Sequence, residues 1–213
     1  IYAAVMVIIV AAVLSFASLS LKPRQTKNVE VAKKTDILKS VNILSTAIDA
    51  EAKYDKFIKN TYVINSKGER VDGKAFSIDM KKQVALDVDE RALPVYECKL
   101  ENGEVKYILP LRGKGLWGPI WGYIALNKDK QTIFGATFDH KGETPGLGAE
   151  ISKDFFTEQF KGKEILTNGK VAFSVDKGEG SKDKINAVDA ISGGTITSKG
   201  LEAMMYDCLG AYE

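Results

Sequence analysis

The stretch richest in groups able to do chemistry is Asp189-Ala190-Ile191-Ser192-Gly193-Gly194-Thr195-Ile196-Thr197-Ser198-Lys199-Gly200. Two glycines free the backbone for a tight turn and for close approach to a ligand. Directly behind them Leu201, Met204, Met205, Cys208 and Leu209 fall on one face of a helix. A small-residue loop that feeds a helix presents unpaired backbone N–H groups and the positive end of the helix dipole, which together favour a phosphate or phosphodiester. Ser192, Gly193, Gly194, Thr195 and Thr197 are the candidate ligands. Lys199, Lys182 and Lys184 could add charge. The same pattern also describes an ordinary Ser/Thr-rich helix cap after a glycine turn.

Two further segments carry possible chemistry. His140-Lys141-Gly142-Glu143-Thr144-Pro145-Gly146-Leu147-Gly148-Ala149-Glu150 reads as a type-II-like turn, with Pro at its second position and Gly behind it, joining a strand to a helix. Gly113-Lys114-Gly115-Leu116-Trp117-Gly118-Pro119-Ile120-Trp121-Gly122-Tyr123 holds two tryptophans in a Gly/Pro-rich loop, where they either fill a core or cover a planar ligand. Trp117 is expected at a ligand and Trp121 in the core. Lys177, at the end of the Val171–Val175 run, reads alone as a solvated surface lysine.

Several function classes are disfavoured. Lys and Arg total 30 against 28 for Asp and Glu, giving a net charge of +2, so no basic excess calls for nucleic acid. Cys98 and Cys208 show no C-x-x-C spacing and His140 is the single histidine, which leaves a metal-dependent site without a ligand set. Cys208 reads as a small buried residue on a helix. The one G-x-G-x-x-G spacing, Gly113–Gly118, leads into the β-type run Trp121–Leu126 instead of opening a helix, so it is no dinucleotide fingerprint and a dinucleotide must be handled elsewhere.

The elements that must position these loops begin with a membrane-length segment. Residues 1–21 carry no charge, and at ~1.5 Å per residue they span about 30 Å, the hydrocarbon thickness of a bilayer. The run is longer than the apolar core of a signal peptide, so a retained single-pass anchor is expected. A chain that opens on Ile1 is expected to lack a short N-terminal piece, and the charges of that flank with it. On the other flank Lys22, Arg24, Lys27, Lys33 and Lys34 would favour the cytoplasmic side. Residues 22–35 read as a juxtamembrane linker and 36–213 as one domain. From Asp36, the spacing of Ile37, Val41, Leu44 and Ile48 predicts an amphipathic helix continuing through Ala50 to Lys59. Short β-type runs split by Asn-Gly signals follow, among them Val95–Leu100 and Val105–Leu109, then Trp121–Leu126, Thr132–Asp139 and Val171–Val175. A surface helix is expected over Ser152–Phe160. The fold class is α+β: a transmembrane helix, then a curved, mainly antiparallel sheet flanked by helices.

In that order, the motifs resemble the covalent FMN-binding domain family shared by the C subunit of the Na+-translocating NADH:quinone oxidoreductase and the G subunit of the related Rnf complex. Asp-x-x-Ser-Gly-x-Thr resembles the flavinylation motif, and Glu143-Thr144-Pro145-Gly146-Leu147-Gly148 a second signature. The Gly115-Leu116-Trp117-Gly118-Pro119 run is closer to the C subunits. The resemblance implies FMN joined by a phosphoester to Thr195, delivered from FAD by a flavin transferase, with Thr197 the competing acceptor. It implies backbone and side-chain hydrogen bonds from Glu143, Thr144 and Gly148 to the ring's polar edge, packing by Leu147, and Leu116 and Trp117 beside the flavin. Lys177 near the N1–C2=O edge would favour negative charge on the ring. Gly194 replaces the family's usual Ala, a departure expected to loosen the loop by under ~1 kcal/mol. The implied role is an electron relay from NADH toward ubiquinone or menaquinone, coupled to Na+ export, among partner subunits and in the lipid bilayer. The implied location is the bacterial inner membrane, with the FMN domain on the periplasmic side. An Rnf-type G subunit and a tethered, non-redox flavin-binding module are the alternatives.

Overall fold

The computed structural model describes residues 2–178 and 180–213. Helix α1 runs without a break from Tyr2 to Ser40. Its first part is exposed on every side and apolar enough to cross a bilayer, whereas Ile37, Leu38 and Ser40 are buried in the domain. One helix therefore carries both the membrane-length apolar stretch and a core element, and the juxtamembrane residues 22–35 between them are helical.

The amphipathic helix expected from Asp36 stops early. Asn42 adopts φ 61°. The Ile43 N–H donates to the Leu38 carbonyl at 3.0 Å and the Asn42 N–H to that of Lys39 at 2.9 Å, which is the Schellman pattern with Asn in the left-handed position. Leu44 and Ile48, counted on the apolar stripe, stand exposed in the turn that follows. Helix α2, Ala50–Phe57, then gives way at Ile58. From there the chain is the strand β1, Ile58–Ile64, because its β-branched and aromatic residues pair into the sheet.

Six strands form one antiparallel sheet in the order β2-β1-β3-β4-β5-β6. The remaining five are β2 (Arg70–Val71), β3 (Leu93–Lys99), β4 (Val105–Lys114), β5 (Pro119–Leu126) and β6 (Ile133–His140). The hairpin read at Glu101–Glu104 is present, with Lys99 opposite Val105. Alternation divides the sheet's side chains between two cores. Leu109, Leu111, Ile120, Ile124 and Phe138 face the helix α5, Thr195–Leu209. Tyr96, Cys98, Ile108, Tyr123 and Ala125 face the end of α1 and Phe57 of α2. Cys98 and Cys208 thus lie on opposite faces, each a free thiol.

Beyond the sheet the structure departs from expectation twice. Ser152–Phe160 is a succession of short turns around α4, Asp154–Thr157, which buries Phe156 and Phe160 and leaves Phe155 exposed. Val171–Val175 is split between β8 (Lys170–Val171), paired with β7 (Leu166–Thr167), and β9 (Ser174–Asp176), which runs parallel to β10 (Ala187–Asp189).

Candidate functional site

Where β4 ends, β5 begins and β6 ends, three loops and the N-terminus of α5 converge on one end of the sheet. They enclose a cleft of about 250 Å³. The β4–β5 tip supplies Leu116 and Trp117, the loop after β6 supplies Glu143, Thr144, Leu147 and Gly148, and the loop before α5 supplies Gly193 to Thr197. A cleft of about 410 Å³ between α1 and the sheet is roomier. The helix N-terminus in it, that of the single-turn helix α3 (Met80–Gln83), is already capped by the Asp79 carboxylate, which accepts the Lys81 N–H at 3.0 Å.

Glu143 ties the three loops together. Its side chain is buried, with Oε1 accepting the Trp117 N–H at 2.9 Å and Oε2 accepting the Thr197 hydroxyl at 2.6 Å. A Cβ at Gly115 or Gly148 would collide with this carboxylate, so the two glycines make room for it. Both oxygens accept hydrogen bonds within the protein, so the side chain is part of the wall. Glu143, expected at the ring edge, also lines the cleft. The signal was available in the sequence: a carboxylate among glycines in one motif, hydroxyls in another.

The loop before α5 is fixed locally. Gly193 takes φ 72°, and a Cβ there would lie 2.7 Å from the Leu147 side chain. The Gly194 N–H donates to the Ile191 carbonyl at 3.0 Å, and the Ile191 N–H to Ser198 Oγ at 3.0 Å. Gly194 itself is packed: an added Cβ would meet Ile191 at 3.0 Å and the Gly148 nitrogen at 3.2 Å. The position is tight, contrary to the loosening expected from the missing methyl. The first helical bond, from the Ser198 N–H to the Gly194 carbonyl, leaves the N–H groups of Thr195, Ile196 and Thr197 free of helix partners, and among the described residues no side chain caps them. Thr195 is half-buried at the cleft, and its hydroxyl takes no partner among the described residues. Thr197 is buried with its hydroxyl spent on Glu143.

Other expected residues lie elsewhere. Ser192 is exposed beside the cleft without lining it, and Lys177 is exposed beyond β9, also outside the lining. Lys184 pairs with Asp176 at 2.6 Å and Lys199 with Glu202 at 2.8 Å. Trp121 is half-buried on the α1 side of the sheet with the Arg112 guanidinium 5.4 Å from its ring, not in the core. Alternation explains this, since Ile120 and Gly122 take the opposite face. Sequence reasoning did not single out Ile196, which lines the cleft while 61% exposed.

An α+β sheet with a glycine-walled, anion-ready helix N-terminus at one end is the architecture of an FMN-binding domain, and residues 115–210 match that family. In solved structures the chain is similar to NqrC, the C component of the Na(+)-translocating NADH-quinone reductase, of Parabacteroides distasonis. That match is 44% identical, covers 90% of this chain and 94% of the other, and has a TM-score of 0.83. NqrC of Shewanella oneidensis is 27% identical over 83% of this chain and 89% of its own, with a TM-score of 0.71. The corresponding C component of the Neisseria meningitidis reductase is 35% identical over 92% of this chain and 82% of its length. The chain belongs to the family of Na(+)-translocating NADH-quinone reductase C subunits.

Proposed function

We propose that Thr195 carries FMN as a phosphoester and that the domain relays electrons within a membrane NADH:quinone reductase whose turnover is coupled to Na+ export. The observation that carries this reading is the free Thr195 hydroxyl at an uncapped helix N-terminus, inside a cleft walled by all three motifs. A phosphodiester there would lie against unpaired N–H groups in the field of the helix dipole. With FAD as donor, Thr195 Oγ1 forms the new P–O bond, the pyrophosphate link to AMP breaks, and the hydroxyl proton leaves; a flavin transferase would catalyse that exchange. Thr197 is the poorer acceptor because its hydroxyl already donates to a buried carboxylate.

Bound FMN supplies the capacity to take and release electrons singly or in pairs. The chain's own residues do the rest. Gly193 and Gly148 let the backbone approach, Leu116, Trp117 and Leu147 offer apolar contact for a planar ring, and Glu143 keeps the walls in register. Glu143, Thr144 and Gly148, which line the cleft, would contact the polar edge of the ring. Residues 1–21 hold no charged side chain for Na+, which assigns ion passage to partner subunits. The similarity to C subunits favours this complex over an Rnf-type one. The inner membrane as location, with the domain facing the periplasm, belongs to the same proposal. Two of the five basic residues that argued for the other side are used inside the domain: Lys34 pairs with Glu51 at 3.1 Å, and Lys33 donates to the Phe76 carbonyl, its amine pushed below the usual range by burial.

Coexpression with a flavin transferase, followed by a denaturing gel, tests the proposal. Wild type is expected to fluoresce as a flavin band and Thr195→Val to be dark. A Thr195→Val band as bright as wild type refutes the attachment site, and a dark wild type refutes covalent FMN.

A further inference from the structure

The flavin cleft sits at one end of the sheet, and the direction of α1 shows which way that end points. The Ser40 carbonyl packs against Gly135, which lies opposite Ala125 of β5. Going back along α1, Asp36, Lys33, Ala32 and Val29 share a groove with Tyr123, Trp121 and Arg112. Helix and strand therefore run side by side, and walking down α1 toward the membrane is walking down β5 toward Trp117. From Ser40 to Lys27 and Lys22 the helix descends about 20–27 Å at ~1.5 Å per residue; from Ala125 to Pro119 the strand descends about 20 Å at ~3.3 Å per residue, and the turn carries Trp117 beyond it. The β4–β5 tip stands at the level of the basic residues that follow the apolar stretch of α1.

What stands at that level suits a lipid surface. Trp117 is 69% exposed and Ile196 61%, with Leu116 and Leu147 close behind. Lys114 and Lys141 are exposed at the ends of β4 and β6 beside them, and Lys22, Arg24 and Lys27 ring α1 at the same height. Tryptophan and apolar side chains flanked by lysines form the pattern that seats at the interface of an anionic membrane. We infer that the rim of the cleft, formed by Leu116, Trp117, Leu147 and Ile196, rests on the headgroup layer of the bilayer that holds α1, with Lys114 and Lys141 facing anionic phospholipids. The cleft then opens toward the membrane, so an electron partner must reach it at the bilayer surface; this consequence, unlike the placement itself, rests on the flavin reading above.

The test uses the full chain in vesicles. Trp121→Phe leaves Trp117 as the sole tryptophan, and it is read without flavin in vesicles of phosphatidylcholine with and without phosphatidylglycerol. Expected are a blue-shifted emission and quenching by headgroup-nitroxide lipid several-fold stronger than by a nitroxide at the chain terminus, both greater with phosphatidylglycerol. Inserting two helical turns after Lys27 should lift the tip and abolish that quenching, while unfolding of the domain is unchanged. Emission typical of water with no lipid quenching overturns the inference, as does quenching that survives the insertion. So does a Trp117 that lipid never quenches but that becomes protected from aqueous acrylamide when the complex assembles, because the rim would then be a protein interface. None of these readouts involves FMN, so a dark gel band leaves the membrane placement standing, and a failed quenching experiment leaves Thr195 standing.

Discussion

Thr195 and Thr197 are separated by one residue, yet α5 sends their hydroxyls to different neighbours: one stands free at the cleft, the other is fixed by Glu143. Removing the second hydroxyl should therefore disturb stability rather than attachment. Thr197→Val leaves a buried carboxylate oxygen without its donor, at a cost of about 1–3 kcal/mol. It should unfold at lower urea yet keep the fluorescent gel band; loss of the band in a folded variant would make Thr197 part of the attachment chemistry. Glu143→Ala removes the partner of both the Trp117 N–H and Thr197, and is expected to lower stability by a similar amount or more and to dim the band with it. The cysteines provide a different test at this scale. Burial pushes both thiols up to about 11, and they lie in separate cores. Neither should react with a disulfide reagent at a pH of about 8 until the domain is unfolded, and prompt labelling of native protein would contradict their burial.

Among the elements, those whose pattern is local were legible in the sequence. The β3–β4 hairpin announces itself through Asn102-Gly103, and α5 through its apolar stripe and the glycine turn before it. The end of α1 was not legible, because Val41, Leu44 and Ile48 continue the helical spacing although the chain turns at Asn42. An Asn between Val and Ile carries little signal until Leu38 and Lys39 are seen to offer their carbonyls. This cap makes its own prediction. Asn42→Val places a β-branched residue in the left-handed region and should cost on the order of 1–2 kcal/mol, whereas Asn42→Gly should be nearly neutral. Equal unfolding midpoints for the two variants would count against the Schellman turn. The site divides in the same way: its three loops and Glu143 could be picked out by residue type, but the contacts through which that carboxylate binds the loops together could not. A contact between Glu143 and Thr197 spans fifty-four positions and depends on β6 ending and α5 beginning at the same edge of the sheet.

At the scale of the molecule, anchor and domain are one structure because α1 belongs to both, and the seam between them contains a titrating group. Asp36 lies in the groove under α1, and its carboxyl is pushed up to about 6, first by burial and then by the nearby Asp139, with Lys39 opposing. Lys33, Arg112, Tyr123, Asp79 and Lys81 complete the polar surroundings. A carboxyl whose folded pKa lies above its unfolded value binds its proton more tightly in the folded state. It therefore favours folding more in acid, and this contribution is lost as pH rises through the window from about 4 to about 6. Above that window the charge is held at a cost, reduced by the solvent that still reaches the groove, on the order of 1–2 kcal/mol. Asp36→Asn removes the charge and keeps the shape. Relative to wild type it should gain about that much stability near pH 7 and little near pH 4, measured by urea unfolding of the full chain in detergent. The comparison has to be variant against wild type, since Asp129 and Asp176, whose carboxyls are held below the usual range, give the opposite slope in both proteins. An equal difference at the two pH values would show that Asp36 is not charged against its surroundings, and that the seam between anchor and domain is insensitive to protons.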